Sequence, residues 1–381
     1  MGEEDFPLLL PAEARRRSEE VTRLAREELA PTAAVGIPGR VNRPLLAALG
    51  ITGILPAIFP STLGGSAAEE VSAVTLCLFR EALAQGSTEA ETALALQGLG
   101  SYPILQNGSP ELKQRWIPPV ARGETVAAFA LTEPDAGSDA AALELRAEKT
   151  DGGYLLRGRK KWISNAPEAD IYSIFARTGA SGSGGVTAFA LSGDAEGLGG
   201  EPLELIGNHA IGTLELNDVF VPDDHVLGEV GRGFAVAMRT LDLFRPSVGA
   251  FAVGMAQAAL DAAVERARTR ETFGRPLRAH QALSHLIAEA ATRTKAARLL
   301  VYEAAAAYDA GERVTKAAAM AKLYATETAQ FVIDSSLQIH GAQGLERGHL
   351  LEHLYRDVRA TRIYEGTSEI QREVIAREIF R

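Results

Sequence analysis

Between Arg356 and Gln371 the chain reads RDVRATRIYEGTSEIQ, and these residue types could serve a proton transfer. Three cations, Arg356, Arg359 and Arg362, lead into an apolar pair, Ile363 and Tyr364, followed by one carboxylate, Glu365, and a glycine. Ser368 with Gln371 three residues on reads as a capping box that opens a last helix. Backbone N–H groups at a helix start can face an anion. Apolar neighbours raise the proton affinity of a carboxylate and suit it to act as a base. Taken alone, the same residues also describe a solvated glutamate in a loop ahead of a helix.

Three more segments carry groups that could hold a flat cofactor or a nucleotide. Phe129 to Asp139, FALTEPDAGSD, ends a strand in a sharp Thr-Glu-Pro turn. Gly137 and Ser138 allow close approach to backbone, and Thr132 and Ser138 add hydroxyls. Lys161 to Asn165, KWISN, places one of two tryptophans at a strand end beside the Ser164 hydroxyl, where an indole can lie against a planar ring. Arg270 to Leu277, RETFGRPL, joins two long helices, and its Arg and Phe can grip the phosphate and planar group of a nucleotide. Each also has a plain structural account: a polar loop, a core tryptophan, an inter-helix connection.

The elements that must position these residues follow from periodicity. The first third reads as helices: Ala12 to Ala30, stopped by Pro31; Leu45 to Leu49; about Ala67 to Gln85, closed by Gly86; and one from Ser109-Pro110 to near Gly123. From Thr125 to about Leu227 the pattern alternates in short runs, with Asp151-Gly152-Gly153 as a hairpin turn, which implies a β-domain, barrel or sandwich. Helical period returns at about 233–270, 280–310, 313–339 and 367–380, in alanine-rich segments suited to a bundle and to contacts between subunits. The chain is therefore an α+β multidomain protein: an N-terminal helical domain (1–124), a middle β-domain (125–229) and a C-terminal helical bundle (230–381).

Composition removes several function classes. With 381 residues and a net charge of −10, the chain lacks the basic surface that nucleic acid or an anionic membrane needs. The opening MGEEDFPLLLP lacks the layout of a signal peptide, and Phe6 stands where myristoylation wants Ser or Thr. Pro246 to Leu260 is uncharged but too short to span a bilayer, and reads as a buried helix. The single cysteine, Cys77, forms no internal disulfide. A cytoplasmic protein is the expectation.

Taken jointly, ALTEPDAGSD (130–139), KWISN (161–165), RETFGRPL (270–277), QIHGAQG (338–344) and YEGTSEIQ (364–371) resemble the acyl-CoA dehydrogenase family, in its order and spacing and over essentially the whole chain. The resemblance implies that family's fold, with a C-terminal four-helix bundle, and FAD as cofactor. It implies α,β-dehydrogenation of an acyl-CoA or related acyl thioester to a trans-2-enoyl product. Glu365 matches the base that removes the α-proton while the β-hydride goes to flavin N5. Phe129, Leu131, Thr132, Trp162, Ile163 and Ser164 match positions around the flavin ring, and Ser138 matches one that touches flavin phosphate and thioester. Arg270, Phe273, Gln281, Gln338, Gly341 and Gly344 match groups that hold the adenine-diphosphate end of a neighbouring subunit's FAD, and Thr367 and Glu369 match further FAD contacts. Asp242 and Arg245 match a CoA-contacting turn, with Tyr364 and Gly366 shaping the thioester slot. An electron-transferring flavoprotein as acceptor and a homotetramer, a dimer of dimers, are further implications. The lack of a strand-led GxGxxG fits a family that binds FAD without a Rossmann domain.

One departure matters. The segment around Leu205 to Thr213 is shorter than the family's, without the Arg and Ser found there, one of which helps hold the pantetheine arm. That opens a carrier-protein-bound or unusual thioester as an alternative substrate, alongside an oxidase relative and a non-catalytic FAD-binding relative. His349-Leu-Leu-Glu352-His353 matches an HxxEH zinc pattern, but no third ligand follows and no metal is expected.

Overall fold

The computed structural model of the chain describes residues 11–68 and 71–381. The opening segment discussed above lies almost wholly outside the described residues. In chain order the helices are α1 (Ala12–Leu24), α2 (Ala30–Ala34), α3 (Arg43–Ile51), α4 (Ala73–Ala84), α5 (Thr88–Asn107), α6 (Pro110–Ala121), α7 (Gly233–Thr269), α8 (Gln281–Asp309), α9 (Thr315–His340), α10 (Leu350–Thr361) and α11 (Ser368–Ile379). The strands are β1 (Ala127–Ala130), β2 (Arg146–Thr150), β3 (Gly153–Ser164), β4 (Ile171–Arg177), β5 (Val186–Ser192), β6 (Leu198–Gly199), β7 (Ile211–Pro222), β8 (Glu271–Thr272) and β9 (Arg275–Pro276).

The described residues fall into two compact units. One takes in residues up to Glu28, Ser72–Glu91 and Asp242–Arg381; the other takes in Leu29–Val71 and Thr92–Leu241. In the first, α8 and α9 are long helices flanked by α7, α10 and α11. Helix α7 approaches both closely at Gly249, where a Cβ would meet Val301 of α8 at 2.7 Å and Ala325 of α9 at 3.4 Å. An 18-residue window of α7 is apolar enough to cross a bilayer, but 83% of it is buried inside the protein, so α7 is a core helix. Helix α4 starts at Ala73, later than periodicity suggests, because Ser72 caps Thr75 and the Asp309 carboxylate takes the amides of Ala73 (2.6 Å) and Val74 (3.1 Å). A carboxylate on those amides offsets the positive end of the helix. Cys77 is buried in α4, and desolvation pushes its thiol up, which leaves it an inert packing residue.

In the second unit a seven-stranded sheet runs β1-β4-β2-β3-β7-β6, with β5 on the free side of β4. β1 lies parallel to β4, while β3 and β7 form the longest antiparallel ladder. β4 and β5 are buried almost throughout, hence their mostly apolar runs, broken by the buried hydroxyls of Ser173 and Thr187. The core gathers Val126, Tyr154, Leu156, Tyr172, Ile174, Phe189, Leu216 and Val219. The Asp151-Gly152 turn joins β2 to β3 as expected, with Gly152 at φ +72°. Pro31 does not end the first helical path: a π-turn at Ala25–Leu29 frees the backbone locally and Pro31 sits in the first turn of α2.

Candidate active site

Glu365 lies between the last turn of α10 and the start of α11, in the first unit. Its backbone is left-handed (φ +52°), as is that of Gly366 (φ +92°). Three donors hold that pair of residues. Arg245 Nε on α7 donates to the Glu365 carbonyl at 3.2 Å, Gln371 Nε2 on α11 to the same oxygen at 3.1 Å and to the Gly366 carbonyl at 2.9 Å, and Lys322 Nζ on α9 to the Gly366 carbonyl at 2.7 Å. The capping residue of α11 is Thr367, whose hydroxyl accepts from Ile370 N at 3.3 Å. Ser368 therefore does not cap; its hydroxyl donates to Glu327 at 2.6 Å, and Gln371 serves the carbonyls rather than a capping box. Glycine is required at 366: a Cβ there would meet Gln371 Nε2 at 2.6 Å at an angle L-residues avoid. Gly366→Ala should cost about 1–3 kcal/mol of stability and weaken flavin reduction by substrate, read together by denaturant unfolding and absorbance.

With its backbone so held, the Glu365 carboxylate has a buried Oε2 with no hydrogen-bond partner among the described residues. Burial raises its pKa above the ordinary carboxylate value, against the pull of Arg80, Arg245 and Lys322. Arg80, on α4 and only 3% exposed, is ion-paired with the fully buried Glu91 and donates to Ser247 Oγ at 2.6 Å. Lys322 is fully buried, and desolvation lowers its pKa to about 8. Arg245 reaches Asp242 at 3.6 Å, and Asp242 accepts from Thr315 at 3.0 Å. Tyr364 beside Glu365 is pushed well above the ordinary phenol value by burial. A desolvated carboxylate holds a proton more tightly than one in water, which suits it to act as a general base. The amide of Glu365 enters no hydrogen bond among the described residues.

The second unit carries the strand-end cluster. Thr132, half-buried, accepts at its carbonyl from Lys161 N at 3.1 Å, so the TEP turn is stitched to β3. Lys160, fully buried, donates to the Leu131 carbonyl at 2.9 Å and to Glu133 at 2.8 Å; Glu133 also accepts the amides of Glu144 (2.6 Å) and Leu145 (2.9 Å). Desolvation lowers the Lys160 pKa to about 8. Trp162 sits at φ +56° in a bulge of β3, its indole 44% exposed, and Ser164 follows two residues on with His209 Nε2 2.7 Å from its hydroxyl. Phe129 is half-buried against Phe175. Leu131 and Ile163 have buried side chains, so what they offer a ligand is backbone. Ser138 is exposed, beside Gly137, around which a Cβ would find open space.

The residues expected to hold a nucleotide belong to the first unit. β8 and β9 form a two-stranded hairpin with Phe273 and Gly274 at its tip; Phe273 is 96% exposed in a left-handed conformation, and Arg270 and Gln281 are exposed at its base. Gln338 is exposed at the end of α9, Gly341 (φ +65°) has open space about it, and Gly344 is packed on Leu337 and His340. Glu369 is exposed on the first turn of α11. Each unit thus carries exposed groups of its own, an indole in the second and a phenyl with an arginine in the first, that suit flat rings and phosphate. The HxxEH residues each have structural partners: His349 accepts from Leu351 N, His353 meets Asp357 at 3.1 Å, and Glu352 pairs with Arg356 at 2.7 Å.

Sequence reasoning missed Arg80, Glu91, Lys322, Lys160, Glu133 and His209. For Arg80 and Lys322 the available signal was a charged residue inside an otherwise apolar run, LCLFREALA and AAMAKLYA; the others carry no such mark.

Comparison with known proteins covers nearly the whole chain. Three family models match: the acyl-CoA dehydrogenase N-terminal domain over 11–124, middle domain over 128–219 and C-terminal domain over 231–380. Cyclohexane-1-carbonyl-CoA dehydrogenase of Geobacter metallireducens is 38% identical, over 97% of this chain and 98% of that protein. A subunit of the caffeyl-CoA reductase–Etf complex of Acetobacterium woodii is 40% identical, over 83% and 84%. The structure of butyryl-CoA dehydrogenase from Megasphaera elsdenii superposes with a TM-score of 0.92 at 35% identity, covering 98% of this chain and 99% of that one.

Proposed function

Because this chain belongs to the acyl-CoA dehydrogenase family of FAD-dependent oxidoreductases, we propose that it oxidises an acyl thioester between Cα and Cβ, with Glu365 as the base that takes the α-proton. The observation that carries this reading is the buried, unpartnered Oε2 of Glu365 among Arg80, Arg245 and Lys322. Burial raises the proton affinity of the carboxylate while the three cations pull it back, which suits it to take up a proton. The Glu365 amide, free of other hydrogen bonds, donates to the thioester oxygen as negative charge develops there. Holding the Glu365 and Gly366 carbonyls from three helices fixes both the carboxylate and that amide.

FAD, when bound, supplies the acceptor for the β-hydride. Phe129, Leu131, Thr132, Trp162, Ile163 and Ser164 would hold its ring, and Ser138, Thr367 and Glu369 its linker. Arg270, Phe273, Gln281, Gln338, Gly341 and Gly344 would hold the adenine end from a neighbouring subunit, which makes the working form at least a dimer; the family resemblance extends this to a dimer of dimers. Electrons leave to an electron-transferring flavoprotein; the name of the A. woodii relative supports this acceptor.

The test is anaerobic titration of the purified protein with acyl-CoAs of varied length, branching and ring content, beside an acyl-carrier substrate. A yellow protein bleached by at least one acyl-CoA is expected. A colourless protein that cannot be reconstituted with FAD sinks the reading, and bleaching by the carrier-bound acyl group alone replaces the CoA substrate.

A further inference from the structure

His209 lies on the segment between β6 and β7. The Asn165 amide donates to the Ala210 carbonyl at 2.9 Å, and Ser164 pairs with Ile211 in the β3–β7 ladder, so the segment is tied directly to the end of β3. That brings His209 Nε2 to 2.7 Å from Ser164 Oγ. Burial lowers the pKa of the imidazole to about 4, so at working pH the ring is neutral, with one nitrogen donating and the other accepting. A serine hydroxyl has a single proton. The sense of the Ser164–His209 bond therefore decides whether that hydroxyl offers a proton or a lone pair to whatever else faces it.

We infer that His209 is a positioning residue for the Ser164 hydroxyl and, through it, biases bound FAD between its oxidised and reduced forms. The inference rests on the proposed place of Ser164 at the flavin edge. An oxidised flavin edge accepts a hydrogen bond at the ring nitrogen where the reduced one donates. A hydroxyl locked as donor to that edge favours the oxidised form, and one locked as acceptor favours the reduced form. Without His209 the hydroxyl rotates to suit either, and the bias is lost.

The test is the midpoint potential of bound FAD in the holoenzyme, for the wild type, His209→Ala, His209→Gln, Ser164→Ala and the double variant His209→Ala/Ser164→Ala. His209→Ala should change the ratio of affinities for reduced and oxidised FAD by about 2–10-fold, as expected for one hydrogen bond. His209→Gln, which keeps a polar group near Nε2, should restore part of the wild-type value. In the Ser164→Ala background the His209→Ala shift should vanish, because the bond through which it acts is already gone. His209→Phe keeps the ring without its nitrogens and takes the place of His209→Ala if that variant fails to fold. Equal shifts in both backgrounds, or no shift with FAD still bound, overturn the inference while leaving the proposed function intact. Loss of the parent reading shows separately, as a wild type that takes up no FAD or is bleached by no acyl thioester, and the inference falls with it.

Discussion

Glu365→Gln is expected to keep FAD and to slow flavin reduction by acyl thioester by about 10²–10⁴-fold, the usual worth of a positioned general base. The substitution is nearly isosteric, and the donors around residue 365 hold backbone carbonyls, so they remain in place. What disappears is the atom that receives the proton. The change also removes the negative charge that Arg80, Arg245 and Lys322 surround. Lys322, already brought down to about 8 by burial and held up first by Glu365, would shed its proton more readily, which lets the cluster absorb the lost charge. In the wild type the rate should fall on the acid side as Glu365 is protonated, at a pH above the ordinary carboxylate range because burial raises its pKa. Stopped-flow absorbance at the flavin band reads both effects, and unchanged bleaching in Glu365→Gln would place the base on another residue.

The fold was legible where one period dominated. The strands from Ala127 to Pro222 and the long helices α7, α8 and α9 stand close to where alternation and helical spacing place them. Errors came at ends, where a distant group decides. Asp309, more than 200 residues on, holds the amides that start α4 at Ala73. Thr367 rather than Ser368 caps α11, because Ser368 is engaged by Glu327. Glu365 stands out in the sequence through its motif, but the groups that surround its carboxylate do not. Arg80, Arg245, Lys322 and Gln371 converge on it from four helices, and no spacing in one sequence encodes that convergence. Glu133 shows the converse: it stands in the conspicuous TEP motif, yet its carboxylate is occupied by Lys160 and two amides and it acts as a strut.

Arg80 and Glu91 should move the acid limb of the kcat/KM profile in opposite directions. Burial raises the proton affinity of Glu365, and Arg80 is foremost among the cations that pull it back. Arg80→Gln removes that pull, so Glu365 is protonated at higher pH and the limb moves up. Glu91→Gln leaves Arg80 in place without the carboxylate that offsets it, so the field of Arg80 on Glu365 strengthens and the limb moves down. Arg245, Lys322 and Tyr364 face the same carboxylate and stay unchanged in both variants. Both substitutions also break a buried ion pair, at a cost of about 3–5 kcal/mol, because each removes the nearest opposite charge from a buried ion. Arg80→Gln loses in addition the hydrogen bond to Ser247 and the stacking over Phe251. Denaturant unfolding measures the stability loss separately, and the pH profile is then taken where each variant is folded. If the pair only supports the fold, both variants lose stability and neither limb moves; opposite shifts are the signature of a pair that tunes the base.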